Sequence, residues 1–175
     1  TGSITLNPSF FKDHLKLNIN AKGSINKNTF ANTGAIWAAA TMNPTIPVYS
    51  GADNFGGYTE AIDNTGAPVN GAVMNPVGLL KMNDSHSTVK RFIGNIDADY
   101  RLHFFPDLKL HATLGYDYAQ GKGSVYVPAE AAPNYTTSGL DYTYGPQKKV
   151  NRLLTLYANY NKLVESIKSS FDVTA

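Results

Sequence analysis

The stretch FIGNIDADYRLHFFPDLKLHATLGYDY, residues 92–118, decides the fold. Its even positions from Phe92 to Tyr118 are mostly apolar, whereas odd positions such as Asp97 and His111 are mostly polar. Alternation with period two is typical of a β-strand whose two faces meet different surroundings. The segment Phe105-Pro106-Asp107 interrupts the alternation and predicts a three-residue turn, so the stretch is interpreted as a β-hairpin.

The predicted hairpin has unusually long strands. If Phe104 lies opposite Leu108, the same register pairs Arg101 with His111 on the polar face. Each strand runs for about a dozen residues, whereas soluble strands usually have about five or six and a tilted membrane strand needs about nine to eleven. The strand length therefore favours a membrane strand.

The same alternation recurs along the chain and predicts six strands. The connections between them are short at one end of the sheet and long at the other, as in outer-membrane barrels. The predicted fold is all-β: an antiparallel meander of about six long amphipathic strands from a transmembrane β-barrel, with the chain beginning and stopping inside a strand. The strands are expected at about 1–7, 14–26, 89–104, 108–118, 150–161 and 167–175, the short turns at 8–13, 105–107 and 162–166, and the external loops at about 27–88 and 119–149.

The first long loop contains one predicted helix, Ala35 to Thr41. Its alanines favour a helix, Asn32 or Thr33 can cap the start, and Asn43-Pro44 would stop the chain from continuing helically.

Charge placement supports a lipid-facing surface. A Lys or Arg on the lipid face costs about 2 to 4 kcal/mol at the midplane and about 0 to 1 near the rim. Arg152 is a charge on the apolar parity of the predicted strand 150–161, and it lies at the loop end, where its side chain can reach water.

Composition excludes several classes of function. The chain of 175 residues has no cysteine, which excludes disulfides, thiolate metal sites and cysteine nucleophiles. Its formal net charge of +2 and the absence of a basic run longer than Lys148-Lys149 argue against nucleic acid. No signal peptide is visible, and no apolar run approaches the roughly 20 residues of a membrane helix.

No residue pattern predicts catalysis, a metal site or a cofactor. The four histidines lack the spacing of metal ligands. Asp97 and Asp99 share one face of a predicted strand and could suggest an acid/base pair, but carboxylates that line a barrel lumen explain them better. The predicted lumen-facing polar residues are Asp97, Asp99, Arg101, His103 and His111.

Aromatic residues in the two long loops are the candidates for contact with a ligand or partner. They could stack on sugar rings or contact a second protein, and the alternative is that they pack the loops against each other. These residues are Trp37, Tyr49, Tyr58, Tyr135, Tyr142 and Tyr144.

An ordered series of short motifs resembles the SusC/RagA-like family of TonB-linked outer-membrane transporters. The series spans most of the chain, and single pieces such as Asn-Pro-Val would be weak. It consists of residues 38–49 (AAATMNPTIPVY), 56–58 (GGY), 75–80 (NPVGLL), 91–95 (RFIGN), 108–110 (LKL) and 114–117 (LGYD).

The resemblance implies a barrel of about 22 strands with an N-terminal plug, in the outer membrane of a Gram-negative bacterium. Such a transporter imports oligosaccharides or peptides, with a SusD-like surface lipoprotein as its lid and TonB as its source of energy. This chain departs from the family pattern because it has no plug and no TonB-contacting segment, so we expect it to be a piece of the barrel wall.

Such a piece would leave two strand edges and an apolar face uncovered, so in isolation it is expected to self-associate or to need detergent. The alternative interpretation is a soluble or secreted β-domain that binds carbohydrate through the aromatic loops.

Overall fold

The computed structural model describes residues 1–175. Seven strands, two α-helices and three short 3-10 turns follow one another along the chain. The strands are β1 (Gly2–Leu6), β2 (Ser9–Phe10), β3 (Leu15–Phe30), β4 (Asp84–Arg101), β5 (Leu108–Val127), β6 (Leu140–Val164) and β7 (Ser169–Thr174), the helices are α1 (Gly34–Thr41) and α2 (Pro76–Lys81), and the 3-10 turns are Asn54–Gly57, Ala132–Thr137 and Glu165–Ile167.

The strands form one sheet in the order β1-β3-β4-β5-β6-β7, with β2 also paired to β3. β1 and β2 share one antiparallel register against β3, because Leu6 lies opposite Ile19 and Ser9 lies opposite Lys16. Pro8 separates them and has no N–H to donate, but its carbonyl still accepts a 3.0 Å hydrogen bond from the Leu17 amide. The two segments therefore act as one strand, and the predicted six-stranded antiparallel meander is confirmed.

The strands are longer on the loop side than the sequence pattern suggests. β5 continues to Val127 and β6 begins at Leu140, so the second connection covers 128–139 rather than 119–149. The first connection covers 31–83 rather than 27–88. The physical reason is visible in β5, where the apolar even positions end at Tyr118 and give way to Gln120, Lys122 and Ser124. The backbone stays extended although the outer face becomes polar.

The short turns also differ from the expected bounds. β4 ends at Arg101, so the central turn covers 102–107, and the Leu102 amide donates to the Leu108 carbonyl at 3.2 Å. This moves the register by two residues, which keeps every side chain on its expected face. The expected pairing of Arg101 with His111 is wrong, because His111 instead contacts Asp99. At the first turn, positive φ angles at residues 11–13 reverse the chain within a narrower segment than 8–13.

The predicted helix in the first loop is confirmed as α1. Its start is fixed by Asn32, whose side-chain oxygen accepts from the Gly34 amide at 3.0 Å, while the Thr33 side chain makes no capping hydrogen bond. Ala35 and Ala38 are buried on its inner side. The second helix, α2, was not predicted, although Asn75-Pro76 combines a favoured cap with proline at the first helical position.

The chain folds into two compact units. The strand unit contains residues 1–26, 89–120 and 147–175, and the loop unit contains residues 27–88 and 121–146. All residues classed as buried lie in the loop unit, among them Ala35, Phe55, Asn75, Val127 and Ala131. The strand unit is a single layer of sheet in which no residue is buried. Neither helix of the chain has the length and apolar character needed to cross a membrane.

Gly123 gives a direct test of the packing in the loop unit. A Cβ at this position would collide with the Tyr144 hydroxyl and lie 2.6 Å from the His86 carbonyl oxygen, whereas a Cβ at Gly23 would meet nothing within 4 Å. We expect Gly123→Ala to lower the free energy of unfolding by about 1–3 kcal/mol through overpacking. The control Gly23→Ala should raise it by about 0.5–1 kcal/mol. Denaturant unfolding of both variants measures this, and equal effects would contradict the described contact.

Candidate functional site

A side-chain hydrogen-bond network crosses the polar face of the strand unit between β4 and β5. His111 contacts the Asp99 carboxylate through Nδ1 at 2.7 Å and the Thr113 hydroxyl through Nε2 at 2.9 Å. The Thr113 hydroxyl donates to Asp97 at 2.8 Å, and the Asn95 amide donates to the second Asp97 oxygen at 2.8 Å. The network fixes both carboxylates and links the two strands on one face.

A second polar contact extends this face to β6. The Arg91 guanidinium donates two hydrogen bonds to Asp117, at 2.9 and 2.8 Å, in a bidentate pair. The Asn151 amide donates to the same carboxylate at 3.4 Å. His111 also stacks on the Tyr157 ring, with centroids 4.5 Å apart. Polar contacts therefore tie β4, β5 and β6 together on the odd-numbered face.

Two of the predicted lumen-facing residues lie outside this network. Arg101 is the last residue of β4, and its carbonyl accepts a 2.9 Å hydrogen bond from the His14 ring. His103 lies in the turn, stacked on His14 with centroids 4.0 Å apart, and its Nδ1 is 3.0 Å from the Tyr100 hydroxyl. The structure thus brings Asp97, Asp99 and His111 together and places Arg101 and His103 towards the turn. The lumen-facing role of all five stays a prediction.

The opposite face of the strand unit is apolar and uncovered. A wide depression on it is lined by side chains from four neighbouring strands, including Ile19, Ile96, Leu114 and Leu154. Leu154 is 63% exposed, although its strand has a neighbour on both sides. One face of this single layer is therefore suited to water or polar protein, and the other to an apolar environment.

The six predicted aromatic residues all lie in the loop unit, but they form no single platform. Tyr49 and Tyr58 face each other with centroids 5.6 Å apart, and Tyr142 lies 6.2 Å from Tyr144. Tyr135 packs on the buried Phe55 at 5.4 Å, which gives it a structural contact. Trp37 is 65% exposed on α1. Contact of these residues with a ligand or partner stays a prediction.

Asn75 organises the loop unit, and the sequence reasoning did not single it out as a site residue. It is completely buried, and its side-chain oxygen accepts from the Val77 and Gly78 amides at the start of α2. Its side-chain NH₂ donates to the carbonyl oxygens of Val48 and Thr59, at 2.8 and 3.3 Å. Asn75 therefore clamps the two chain segments that carry Tyr49 and Tyr58 to α2. The sequence signal that could have identified Asn75 is its position directly before Pro76, since a cap residue followed by proline favours a helix start.

Glu60 lies directly against this clamp. The Asn75 backbone amide donates to both Glu60 carboxylate oxygens, at 3.1 and 3.2 Å. Burial raises the pKa of Glu60 above its ordinary value, because loss of hydration disfavours the charged form more than this hydrogen bond favours it. In the neighbouring turn the pKa of Asp63 is lowered, mainly by the Thr65 hydroxyl and also by backbone amides.

Comparison with known proteins places this arrangement in a family. No family model matches the chain. The TonB-dependent receptor SusC of Bacteroides thetaiotaomicron (strain ATCC 29148) is 38% identical over 187 aligned positions, which include 99% of this chain. The chain belongs to the SusC-like family. It spans about 18% of the length of that relative, so the comparison covers a part of the receptor only.

The SusC-like motifs now have structural explanations. Asn75-Pro76 caps and begins α2, while Asp117 of the LGYD motif accepts the bidentate hydrogen bonds of Arg91. Gly115 of the same motif lets strands approach closely, because a Cβ there would lie 3.0 Å from the Leu153 Cβ. These residues support loop conformation and cross-strand packing.

Replacement of Asn75 tests its role as a clamp. Asn75→Ala removes the cap of α2 and leaves the Val48 and Thr59 carbonyls without a partner, so we expect a loss of about 2–4 kcal/mol in local stability. Asn75→Ser keeps a capping oxygen but cannot reach both carbonyls, so its loss should be smaller. Hydrogen exchange of the Val77 and Gly78 amides in the full-length receptor measures both. Unchanged protection in Asn75→Ala would contradict the clamp.

Glu60 and Asp63 should respond to pH with opposite signs. A raised folded-state pKa means that the unfolded loop releases its proton first, so Glu60 lowers loop stability as pH rises from its ordinary pKa through the raised one. Asp63 has a lowered pKa, so its stabilising contribution is present above its ordinary pKa and is lost as pH falls through the lowered one.

Glu60→Gln keeps an oxygen that accepts from Asn75 and removes the charge. In the wild type, hydrogen-exchange protection of the Asn75 backbone amide should fall as pH rises, and we expect Glu60→Gln to abolish this fall. The Thr65 backbone amide should keep its opposite trend and serves as an internal control. Amide protection factors, corrected for intrinsic exchange at each pH, measure both sites. A wild-type Asn75 amide with protection independent of pH would overturn the prediction.

Proposed function

We propose that this chain forms wall strands and two external loops of a TonB-dependent outer-membrane importer of oligosaccharides or other large nutrients. In this role the chain carries out no catalytic step and needs no cofactor. The intact importer works in the outer membrane of a Gram-negative bacterium. The similarity to SusC supports the class of protein, and the properties of the strand unit support the position of these residues in the wall.

The observation that carries the proposal is the single-layer strand unit with one uncovered apolar face. A soluble sheet buries such a face against a second layer, and this unit contains no second layer and no buried residue. Leu108 to Tyr118 of β5 cover eleven residues with apolar even positions, which corresponds to about 26 Å of membrane at a tilt near 45°. This matches the apolar band of an outer-membrane barrel, about 25 Å tall.

The polar face would then line the barrel interior. Its hydrogen bonds between Asp97, Thr113 and His111 and between Arg91 and Asp117 satisfy charged groups within the wall. The outer strands β1 and β7 would pair with neighbouring strands of the intact barrel, because unpaired backbone groups are costly in lipid. Without these neighbours the isolated chain should self-associate.

The long connections would lie outside the cell, because such barrels have short periplasmic turns and longer extracellular loops. Exposed aromatic residues such as Trp37 and Tyr49 are available there for contact with a glycan or with a SusD-like surface lipoprotein. TonB would act on the intact protein from the periplasmic side. A soluble carbohydrate-binding domain is less well supported, because it would leave the apolar face in water.

Leu153 and Leu154 test the assignment of faces with the same side chain at adjacent positions. They are 58% and 63% exposed. Leu153 lies beside Gly115 on the odd-numbered polar face, whereas Leu154 lies at an even position on the apolar face. In the full-length receptor we expect Leu154→Lys to destabilise the barrel by about 2–4 kcal/mol, since a cation would enter the lipid face near the midplane. Leu153→Lys should be tolerated within about 1 kcal/mol, because it would face the interior.

Outer-membrane fractions, run unheated and boiled on gels, measure the amount of folded barrel. The wild type should give a heat-shifted band at the size of the full receptor, Leu153→Lys should keep it, and Leu154→Lys should reduce it. A soluble wild-type protein would overturn the proposed function. Equal loss in both variants would overturn the assignment of faces.

A further inference from the structure

The apolar face of the strand unit ends in a group of cations on its loop side. Lys90 of β4 and Lys148 and Arg152 of β6 all lie at even positions, on the same face as Phe92 and Leu154. All three are exposed. We refer to these three residues as the basic row.

Cross-strand contacts place the two lysines of the basic row at one level of the sheet. Lys90 and Tyr118 line a common depression beside Ile25, which puts Lys90 next to the last aromatic residue of the apolar stretch in β5. The contact of Asp117 with Asn151 sets the register of β5 and β6, and its extension places Lys148 opposite Gln120. Lys90 and Lys148 thus flank β5 about 10 Å apart, given a spacing of about 4.8 Å between strands.

Arg152 lies four residues from Lys148 along β6, deeper in the apolar face and beside Tyr116. A long cationic side chain in this position extends its charged end towards water while its methylene groups cover apolar surface. Its guanidinium can therefore reach towards the level of the two lysines.

The basic row has no anionic partner on the chain. None of its three side chains is within ion-pair distance of a carboxylate, and no Asp or Glu occupies the apolar face of the strand unit. The polar face differs, because Arg91 there is paired with Asp117 at 2.8 Å. At the short-turn end, the apolar face has one cation, Lys162, opposite Phe171. Cations without partners are thus concentrated at the loop-side boundary of the apolar face.

We propose that the basic row binds the phosphate groups of an anionic glycolipid in the outer leaflet of the membrane. The inference rests on the proposed function, which puts the apolar face in lipid and the loops outside. Phosphate supplies the charge that the chain does not, and its oxygens accept hydrogen bonds from both lysine and arginine. The neighbouring Phe92 and Tyr118 would lie at the same interface, as aromatic residues do at the rim of a membrane barrel.

The test measures lipid binding to the full-length receptor by native mass spectrometry. The probes are a phosphorylated lipid A and the same glycolipid after removal of its phosphate. The test variant is K90Q/K148Q/R152Q, and the control K12Q/K162Q/K168Q removes the same charge at the short-turn end. A basic residue near an anionic membrane surface contributes about a fivefold gain in affinity, so the wild type should prefer the phosphorylated lipid at least about tenfold.

The test variant should lose this preference, and the control should keep it. The conservative variant K90R/K148R/R152K should also keep it, which separates the effect of charge from a folding defect. An equal preference in the test variant and the wild type would overturn the proposal, as would a wild type without any preference.

The wild-type preference should also weaken between about 0.05 and 0.5 M salt, because surface charges are screened. If it were independent of salt, the electrostatic basis of the proposal would be overturned. An incorrect proposed function would be recognised by a different result, because a soluble wild-type protein would give no heat-modifiable band in the membrane fraction.

Discussion

The structure depends on one constraint: a single layer of sheet must satisfy its backbone polar groups between strands while leaving an apolar face uncovered. In water, about 25 cal/mol per Å² of exposed apolar surface would work against such a layer. In lipid the same surface is stable, provided that each strand has hydrogen-bonded neighbours. The meander order and the strands of 16 to 25 residues at its centre meet this requirement. In the proposed barrel wall, the polar side-chain network belongs to the face that lipid does not contact.

The loop unit obeys the opposite rule, because its stability depends on burial. Small side chains such as Ala35, Ala38 and Ala131 allow close approach, and Phe55 supplies the large apolar group. Buried backbone groups in irregular chain need partners, and the Asn75 side chain serves four of them. One fully buried amide therefore replaces the ladder of hydrogen bonds that a sheet would supply. Such a clamp allows the long loops to hold exposed aromatic residues in place.

Period-two alternation was sufficient to predict which segments form strands and which side chains share a face, because successive side chains of a strand point to opposite faces. It could not predict the register of the central hairpin, since a shift of two residues leaves every side chain on the same face. Asp99 rather than Arg101 therefore meets His111. α2 was missed because residues 27–88 were assigned to a loop with one helix, although proline also favours the first position of a helix. The contacts of Asn75 span up to 27 residues along the chain and leave no periodic signal.

The change from apolar to polar even positions within β5 explains an error in the predicted strand end and bears on the proposed membrane boundary. Up to Tyr118 the even positions are apolar, and the next three, Gln120, Lys122 and Ser124, are polar, while the backbone remains a strand to Val127. Sequence reasoning took the end of the apolar pattern for the end of the strand. In a membrane wall this point is instead the boundary between lipid and water, because the backbone hydrogen bonds can continue while the surroundings of the outer face change. Lys90 and Lys148 lie at that boundary on the adjacent strands, so the feature that misplaced the strand end also locates the surface where charged lipid headgroups would meet the protein.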